Sequence, residues 1–217
     1  MEKINAIKEL NIPKKGVPQR LYQLKIKLEG ISPPIWRRIV LSSYTYFSEL
    51  HDLIQKYFSW EDYHLHEFYF PHPAGKRNRI YIKGIIDWEE DFGIDHYHFL
   101  ANEIRLCDVL SKTRKRAYYV YDFGDNWRHV IILEKIFPYD DRFVGPICVG
   151  GRRAGPLEDS GGPSGFREKL KTIKQPTHRN FEEILNWLGD DYNAEQVNEI
   201  LIKLSPKKLE KIFGPSL

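Results

Sequence analysis

Ala117-Tyr118-Tyr119-Val120-Tyr121-Asp122-Phe123-Gly124-Asp125-Asn126-Trp127-Arg128-His129-Val130-Ile131-Ile132 decides how this chain is read. Residues 117–123 and 127–137 each alternate in the way of a strand with one buried face, and Gly124-Asp125-Asn126 between them is the strongest hairpin signal in the sequence. If those three residues are the turn, counting outward sets Phe123 against Trp127, Asp122 against Arg128, Tyr121 against His129 and Val120 against Val130. One face then carries Tyr119, Tyr121, Trp127 and His129. The other carries Tyr118, Val120, Asp122 and Arg128, with Asp122 and Arg128 as a cross-strand ion pair worth at most about 1 kcal/mol.

Working outward, Tyr22, Leu24, Ile26 and Leu28 alternate with polar residues as a strand that stops at Gly30, and residues 35–41 pair with it after Ser32-Pro33-Pro34. Phe47, Leu50, Ile54 and Phe58 fall at helical spacing, with His51 on the same face. Strands are expected over 65–71 and 79–86 and a short helix over 103–110, while 87–100 has no readable period. Residues 140–165 are also aperiodic, and their turn residues suggest an ordered loop. Helices are expected from Pro163 to about 174, from Phe181 to Gly189, from Asn193 through Leu204, and from Pro206 to Gly214. The expected fold is α+β: an antiparallel sheet with a packed helix, a long ordered Gly/Pro-rich loop and a helical C-terminal part. Residues 1–19 read as a polar lead and 20–217 as one domain, with 20–137 sheet-rich, 138–165 the loop and 166–217 helical.

The 217 residues carry 33 Lys and Arg against 30 acids, a balance that does not announce a polyanion partner. The basic runs Lys76-Arg77-Asn78-Arg79 and Lys112-Thr113-Arg114-Lys115-Arg116 read as solvated loops. Two cysteines, Cys107 and Cys148, are expected as free thiols. Charges break the first ten residues before a signal-length apolar run, and no stretch of about 18 uncharged apolar residues occurs. Cytoplasmic residence with no membrane partner is therefore expected.

Chemistry concentrates in two places. The first is the turn, with Tyr121, Asp122, Asp125, Trp127 and His129; the second is Arg152-Arg153 through Glu158-Asp159. His64 and His66, two apart, would point the same way in a strand and could hold zinc or another divalent ion with a third ligand such as His129, Cys148, Glu158 or Asp159. Histidines hydrogen-bonded within a half-buried sheet explain the same spacing. Glu158 and Asp159 could be metal ligands or an acid and base pair, and acids just before the helix at Pro163 would also favour its exposed N–H groups. Gly150-Gly151-Arg152-Arg153 lacks the lysine and hydroxyl of a nucleotide loop, and Ser160 and Ser164 lack a nucleophile elbow. No cofactor or partner is fixed; a divalent metal is the cofactor these residues could hold, and protein or nucleic acid the partner.

Pro33-Pro34-Ile35-Trp36-Arg37-Arg38, Leu50-His51, Trp60 with His64-Leu65-His66-Glu67-Phe68, Tyr121-Asp122-Phe123-Gly124-Asp125 with Trp127 and His129, Glu158-Asp159-Ser160-Gly161-Gly162 and Trp187-Leu188-Gly189 together resemble the plasmid Ri open-reading-frame-three-like family of bacteria and archaea. The resemblance runs in order from about Tyr22 to Leu204. It implies an association with plasmid or transposon genes and no particular reaction. The family's loop commonly reads Ala-Cys-Pro-Pro-Glu-Asp-Cys-Gly-Gly. Gly155 and Ser160 stand at its two cysteine positions, so a thiolate metal centre is not expected here.

The leading expectation is a mobile-element-associated binding or interaction module using the turn and the 152–162 loop. The rival is a divalent-metal-dependent hydrolase of phosphodiesters with Asp122, Asp125, Glu158 and Asp159 as ligands or base and His66 or His129 as proton carrier. A third reading is a DNA-binding accessory protein using Arg37-Arg38, Arg152-Arg153 and the basic turns on one face. Convergence of three or more of Asp122, Asp125, His66, His129, Glu158 and Asp159 would favour the hydrolase.

Overall fold

The structure, a computed structural model, describes residues 16–71, 79–84, 97–189, 192–197 and 204–217. Among these, eight strands form one sheet: β1 (Arg20–Leu28), β2 (Trp36–Ser42), β3 (His66–Pro71), β4 (Arg79–Lys83), β5 (Tyr97–Leu100), β6 (Arg116–Tyr121), β7 (Trp127–Pro138) and β8 (Ile147–Arg152). The helices are α1 (Phe47–Phe58), α2 (Leu106–Val109), α3 (Gly162–Thr172), α4 (Phe181–Leu188) and α5 (Pro206–Phe213). Strand order is β5-β4-β3-β6-β7-β1-β2-β8. Every neighbouring pair is antiparallel except β4 and β5, which run parallel. The α+β class is as the sequence suggests.

Alternation sorts the sheet into two faces. Leu24, Ile26, Ile39, Phe68, Tyr119, Trp127 and Ile131 line one face, which buries Phe47, Leu50, Ile54 and Phe58 of α1. Burying each such side chain contributes about 1.5–3 kcal/mol, which is what fixes the helix to the sheet. Its ends are set locally: Glu49 Oε2 accepts from Tyr46 N at 2.7 Å, and Ser59 leaves the helix at φ 63. The opposite face is covered at one end by α5, whose Leu209 and Phe213 pack with Leu21, Val40, Phe137 and Val149. Elsewhere that face is half-buried or exposed at Lys25, Lys27, Trp36, Tyr118 and Arg128.

The hairpin register differs from the expected one by two residues. Tyr121 pairs with Trp127, Val120 with Arg128 and Tyr119 with His129. Asp122 is the cause: it sits at φ 54, its Oδ1 accepts from Gly124 N at 2.8 Å and Asp125 N at 3.2 Å, and its carbonyl accepts from Asn126 N at 2.6 Å. The acid folds its own backbone into the turn, so the loop spans five residues. A slip of two keeps every side chain on its face, but the Asp122–Arg128 pair is not made. Arg128 instead donates to the Tyr69 hydroxyl at 2.7 Å.

Two strands lie where none was read. β5 ends the segment without a period, and β8 lies within the stretch read as irregular loop. In β8 two glycines mask the alternation. Gly150 sits against Trp36, and a Cβ there would meet the indole at 3.4 Å. α3 starts after Gly161 in a left-handed conformation, with Pro163 in its first turn. α4 closes at Gly189, and Ser205 Oγ accepts from Lys208 N to cap α5. Of the helix expected from Asn193, residues 198–203 lie outside the described residues, as do 76–78 of the basic turn. Cys107 and Cys148 are both free and buried. Among the described residues no helix is long and apolar enough to cross a membrane.

Candidate metal centre

At the end of the sheet where β6 leaves for the turn and β3 begins, donor atoms of His64, Asp122 and Asp159 lie within 4.8 Å of one another, and Glu158 stands beside His64. Leu65 O accepts from Asp122 N at 3.0 Å, which places His64 beside Asp122. His64 Nε2 lies 3.2 Å from Asp159 Oδ1, 3.7 Å from Asp122 Oδ2 and 3.9 Å from Glu158 Oε2. Among the described residues neither His64 Nε2 nor Glu158 Oε2 has a hydrogen-bond partner, although both atoms are buried. Donors on one ion with bonds of about 2.1 Å stand roughly 3 Å apart when adjacent and about 4.2 Å when opposite. The three separations from His64 fall in that interval, two of them beyond hydrogen-bonding range, and of the acids Asp122 and Asp159 also lie within 4.8 Å of each other.

The other oxygen of the two inner acids is already engaged. Glu158 Oε1 accepts from the Tyr121 hydroxyl at 2.8 Å and from Glu61 N at 2.9 Å. Asp122 Oδ1 holds the turn amides, leaving Oδ2 aimed at His64. This division of labour, one oxygen anchored and one presented, is how outer contacts orient metal ligands. Asp159 is held at φ 53 and its side chain is 72% exposed, against 9% for Asp122 and 12% for Glu158, so the cluster opens to solvent on the Asp159 side. Burial, reinforced by the hydrogen bond to Glu158, pushes the Tyr121 hydroxyl pKa far up. Tyr121 therefore stays protonated and keeps donating.

The 153–162 loop reaches the turn through a series of polar clips. Trp60 Nε1 donates to Pro156 O at 2.8 Å and Gly161 N to Asp125 Oδ2 at 3.0 Å. Gly162, at φ 66, passes so close that a Cβ would stand 2.5 Å from Asp125 O. Asp125 thus joins the loop to the turn and is not among the converging donors.

His66 belongs to a second cluster with His51 and Asp62. Gln55 Nε2 donates to the Tyr119 hydroxyl at 3.0 Å, that hydroxyl bonds His51 Nδ1 at 2.8 Å, and His51 Nε2 bonds Asp62 Oδ1 at 2.9 Å. The His51 and His66 rings stack with centroids 3.5 Å apart at 12°. Face-to-face rings carry their in-plane lone pairs along nearly parallel lines, so one ion cannot lie on both; His51 is held by the hydrogen-bond network, and His66 packs against its ring with Nε2 buried and without a hydrogen bond among the described residues. Burial, with the His51 ring beside it, pushes the His66 pKa down to about 3.

His64, His66 and His129 therefore do not assemble into one ligand set. β3 begins only at His66, and His129 is fully buried between Phe58, Trp60 and Tyr119. Burial holds its pKa near about 3. Trp127 is core, edge-on to Phe166. The adjacent arginines part company: Arg153 is buried, donating to Glu195 at 3.0 Å and Pro33 O at 2.9 Å, while Arg152 is exposed on β8 opposite Trp36. Asp62, Gln55 and Tyr119 took no part in the sequence reading of the site. Only the His51 spacing on α1 pointed towards their network.

Known proteins share this framework. An uncharacterized protein of Sinorhizobium fredii (strain NGR234) is 32% identical over 197 residues, covering 87% of this chain and 94% of its own length. The crystal structure of a protein of unknown function from Methanosarcina mazei Go1 superposes with a TM-score of 0.74 at 37% identity, covering 84% of this chain and 97% of that one. Residues 20–200 match the family described as plasmid pRiA4b ORF-3-like protein, and to that family the chain belongs.

Proposed function

We propose that the chain is a divalent-metal-dependent hydrolase of phosphodiesters, with His64, Asp122, Glu158 and Asp159 as its metal ligands. The observation that carries this reading is the buried Glu158 Oε2, without a hydrogen-bond partner among the described residues, facing His64 Nε2 at 3.9 Å while Asp159 Oδ1 faces the same nitrogen at 3.2 Å. An unpaired buried carboxylate oxygen costs several kcal/mol unless something compensates it, and a cation does so directly. One imidazole with carboxylates would suit a hard to borderline ion such as Mn2+, and the opening on the Asp159 side would admit water and substrate to it. A bound ion there supplies water activation at neutral pH and polarisation of a phosphoryl oxygen. Tyr121 and Glu61 N hold Glu158, the turn amides hold Asp122, and exposed Asp159 stands nearest the incoming substrate.

Three carboxylates leave the centre one unit negative after one divalent ion, so affinity for an anionic substrate comes from direct coordination and from surface outside the centre. The test is hydrolysis of bis(p-nitrophenyl) phosphate by protein stripped of metal and reloaded with Mn2+. Activity restored by Mn2+ and lost in Glu158→Gln/Asp159→Asn is expected. No turnover by loaded protein on this ester or on a dinucleotide overturns the hydrolase reading.

A further inference from the structure

We propose that the sheet face opposite α1 is a binding platform for single-stranded nucleic acid. Register places Tyr81, Tyr69, Tyr118, Val130, Lys27 and Trp36 in one row across six strands, ending at Arg152 on β8. Tyr69 and Tyr118 stack with centroids 4.9 Å apart at 9°, and Tyr81 lies 6.1 Å from Tyr69. Three strands away, Trp36 has Lys25 Nζ at 4.9 Å and Arg38 at 5.0 Å from its ring. At about 4.8 Å per strand the two aromatic stations are roughly 14 Å apart. That distance spans a few splayed nucleotides.

Charge on this face is one-sided. Lys25, Lys27, Arg38, Arg116, Arg128 and Arg152 share it with the acids Glu29, Glu67 and Glu134. Glu134 is bound by Arg38 at 2.6 Å and by Gln23 at 2.7 Å, and Glu29 lies 3.9 Å from Arg128, while Lys27, Arg116, Arg128 and Arg152 are exposed. A chain whose net charge is only +3 thus gathers its cationic excess around the half-buried rings of Tyr81, Tyr118 and Trp36, with Tyr69 buried between the first two. An exposed antiparallel face needs only polar residues; flat aromatics interleaved with cations are what a strand of unstacked bases requires, rings for the bases and cations for the phosphates. A duplex hides its base faces and cannot use the rings. The arrangement does not depend on the metal centre, since the rows and charges stand without it.

The test is fluorescence anisotropy of a labelled fifteen-nucleotide oligothymidylate, with EDTA present so that no metal contributes. Binding at 50 mM salt, weakening steeply at 200 mM as phosphate-bound counterions are released, and poorer binding of a duplex of equal length are expected. Tyr118→Ala and Trp36→Ala should each weaken binding about tenfold, as expected for loss of one stacked base, while Tyr118→Phe retains it. Lys27→Ala/Arg128→Ala should flatten the salt dependence. Glu158→Gln/Asp159→Asn should bind as the parent does, which separates failure of this proposal from failure of the metal reading. Absence of binding by parent protein overturns the proposal, as does binding indifferent to both aromatic substitutions in variants that melt like the parent. Self-association in sedimentation that depends on Trp36 and Tyr118, without oligonucleotide binding, overturns it in favour of a second copy of the chain.

Discussion

Two adjacent glycines offer a contrast in which the loop-to-turn joint can be weighed. Gly161 and Gly162 both have positive φ, 79 and 66, so an alanine at either incurs a left-handed backbone cost of about 1 kcal/mol. Their surroundings differ. A Cβ on Gly161 would lie 3.5 Å from Gly165 Cα, an ordinary contact, whereas one on Gly162 would lie 2.5 Å from the carbonyl oxygen of Asp125. Relieving that overlap needs a backbone shift of about 1 Å between loop and turn, and overpacking of this kind costs about 1–3 kcal/mol. Gly161→Ala should therefore destabilise by about 1 kcal/mol and Gly162→Ala by about 3. At roughly 3 °C per kcal/mol for a chain of this size, circular dichroism melts should fall by about 3 °C and about 9 °C. Because the displaced groups carry Asp122 on one side and Glu158 and Asp159 on the other, Gly162→Ala should also weaken Mn2+ binding more than Gly161→Ala does. Equal melting temperatures for the two variants would refute the close approach on which the joint depends.

Tyr121→Phe removes the hydroxyl that anchors Glu158 Oε1 and accepts from Tyr63 N; Mn2+ affinity measured calorimetrically should drop about tenfold, and unchanged affinity would remove Tyr121 from the ligand support. For His129 the folded pKa near about 3 lies below the unfolded value of about 6.5, so the unfolded state takes up the proton first as pH falls. Its contribution to stability is intact above about pH 6.5 and is lost by about 1.4 kcal/mol per pH unit on the way down towards 3. Denaturant midpoints for parent and His129→Gln should converge between pH 7 and 5; a constant gap would contradict this. Thiol titration of native protein should detect neither Cys107 nor Cys148 rapidly, and both after denaturation without reductant, because both are free and buried.

The sheet was legible where alternation was strong. Tyr22 to Leu28 and Trp127 to Leu133 announce their faces, and Phe47, Leu50, Ile54 and Phe58 announce α1. β8 was hidden because Gly150 and Gly151 interrupt its alternation, and Gly150 does so to leave room for Trp36, a reason visible only once β2 lies beside it. The hairpin register slipped because Asp122 acts twice, as turn builder with Oδ1 and as site donor with Oδ2, and strand counting cannot see a residue bonding its own backbone. At the site, Asp122, Glu158, Asp159 and His64 were each individually suspect from chemistry. Their grouping without His66 or His129 depends on where β3 begins and on a tertiary contact between segments more than thirty residues apart in sequence.

Isothermal titration of Mn2+ into chelator-stripped protein, parent against Asp122→Asn/Glu158→Gln, reads the metal centre most directly. One ion per chain is expected for the parent, with binding lost in a variant that melts within a few degrees of it. Absence of a saturable site in folded parent protein, or an unchanged site in the variant, would contradict the assignment of His64, Asp122, Glu158 and Asp159 as ligands.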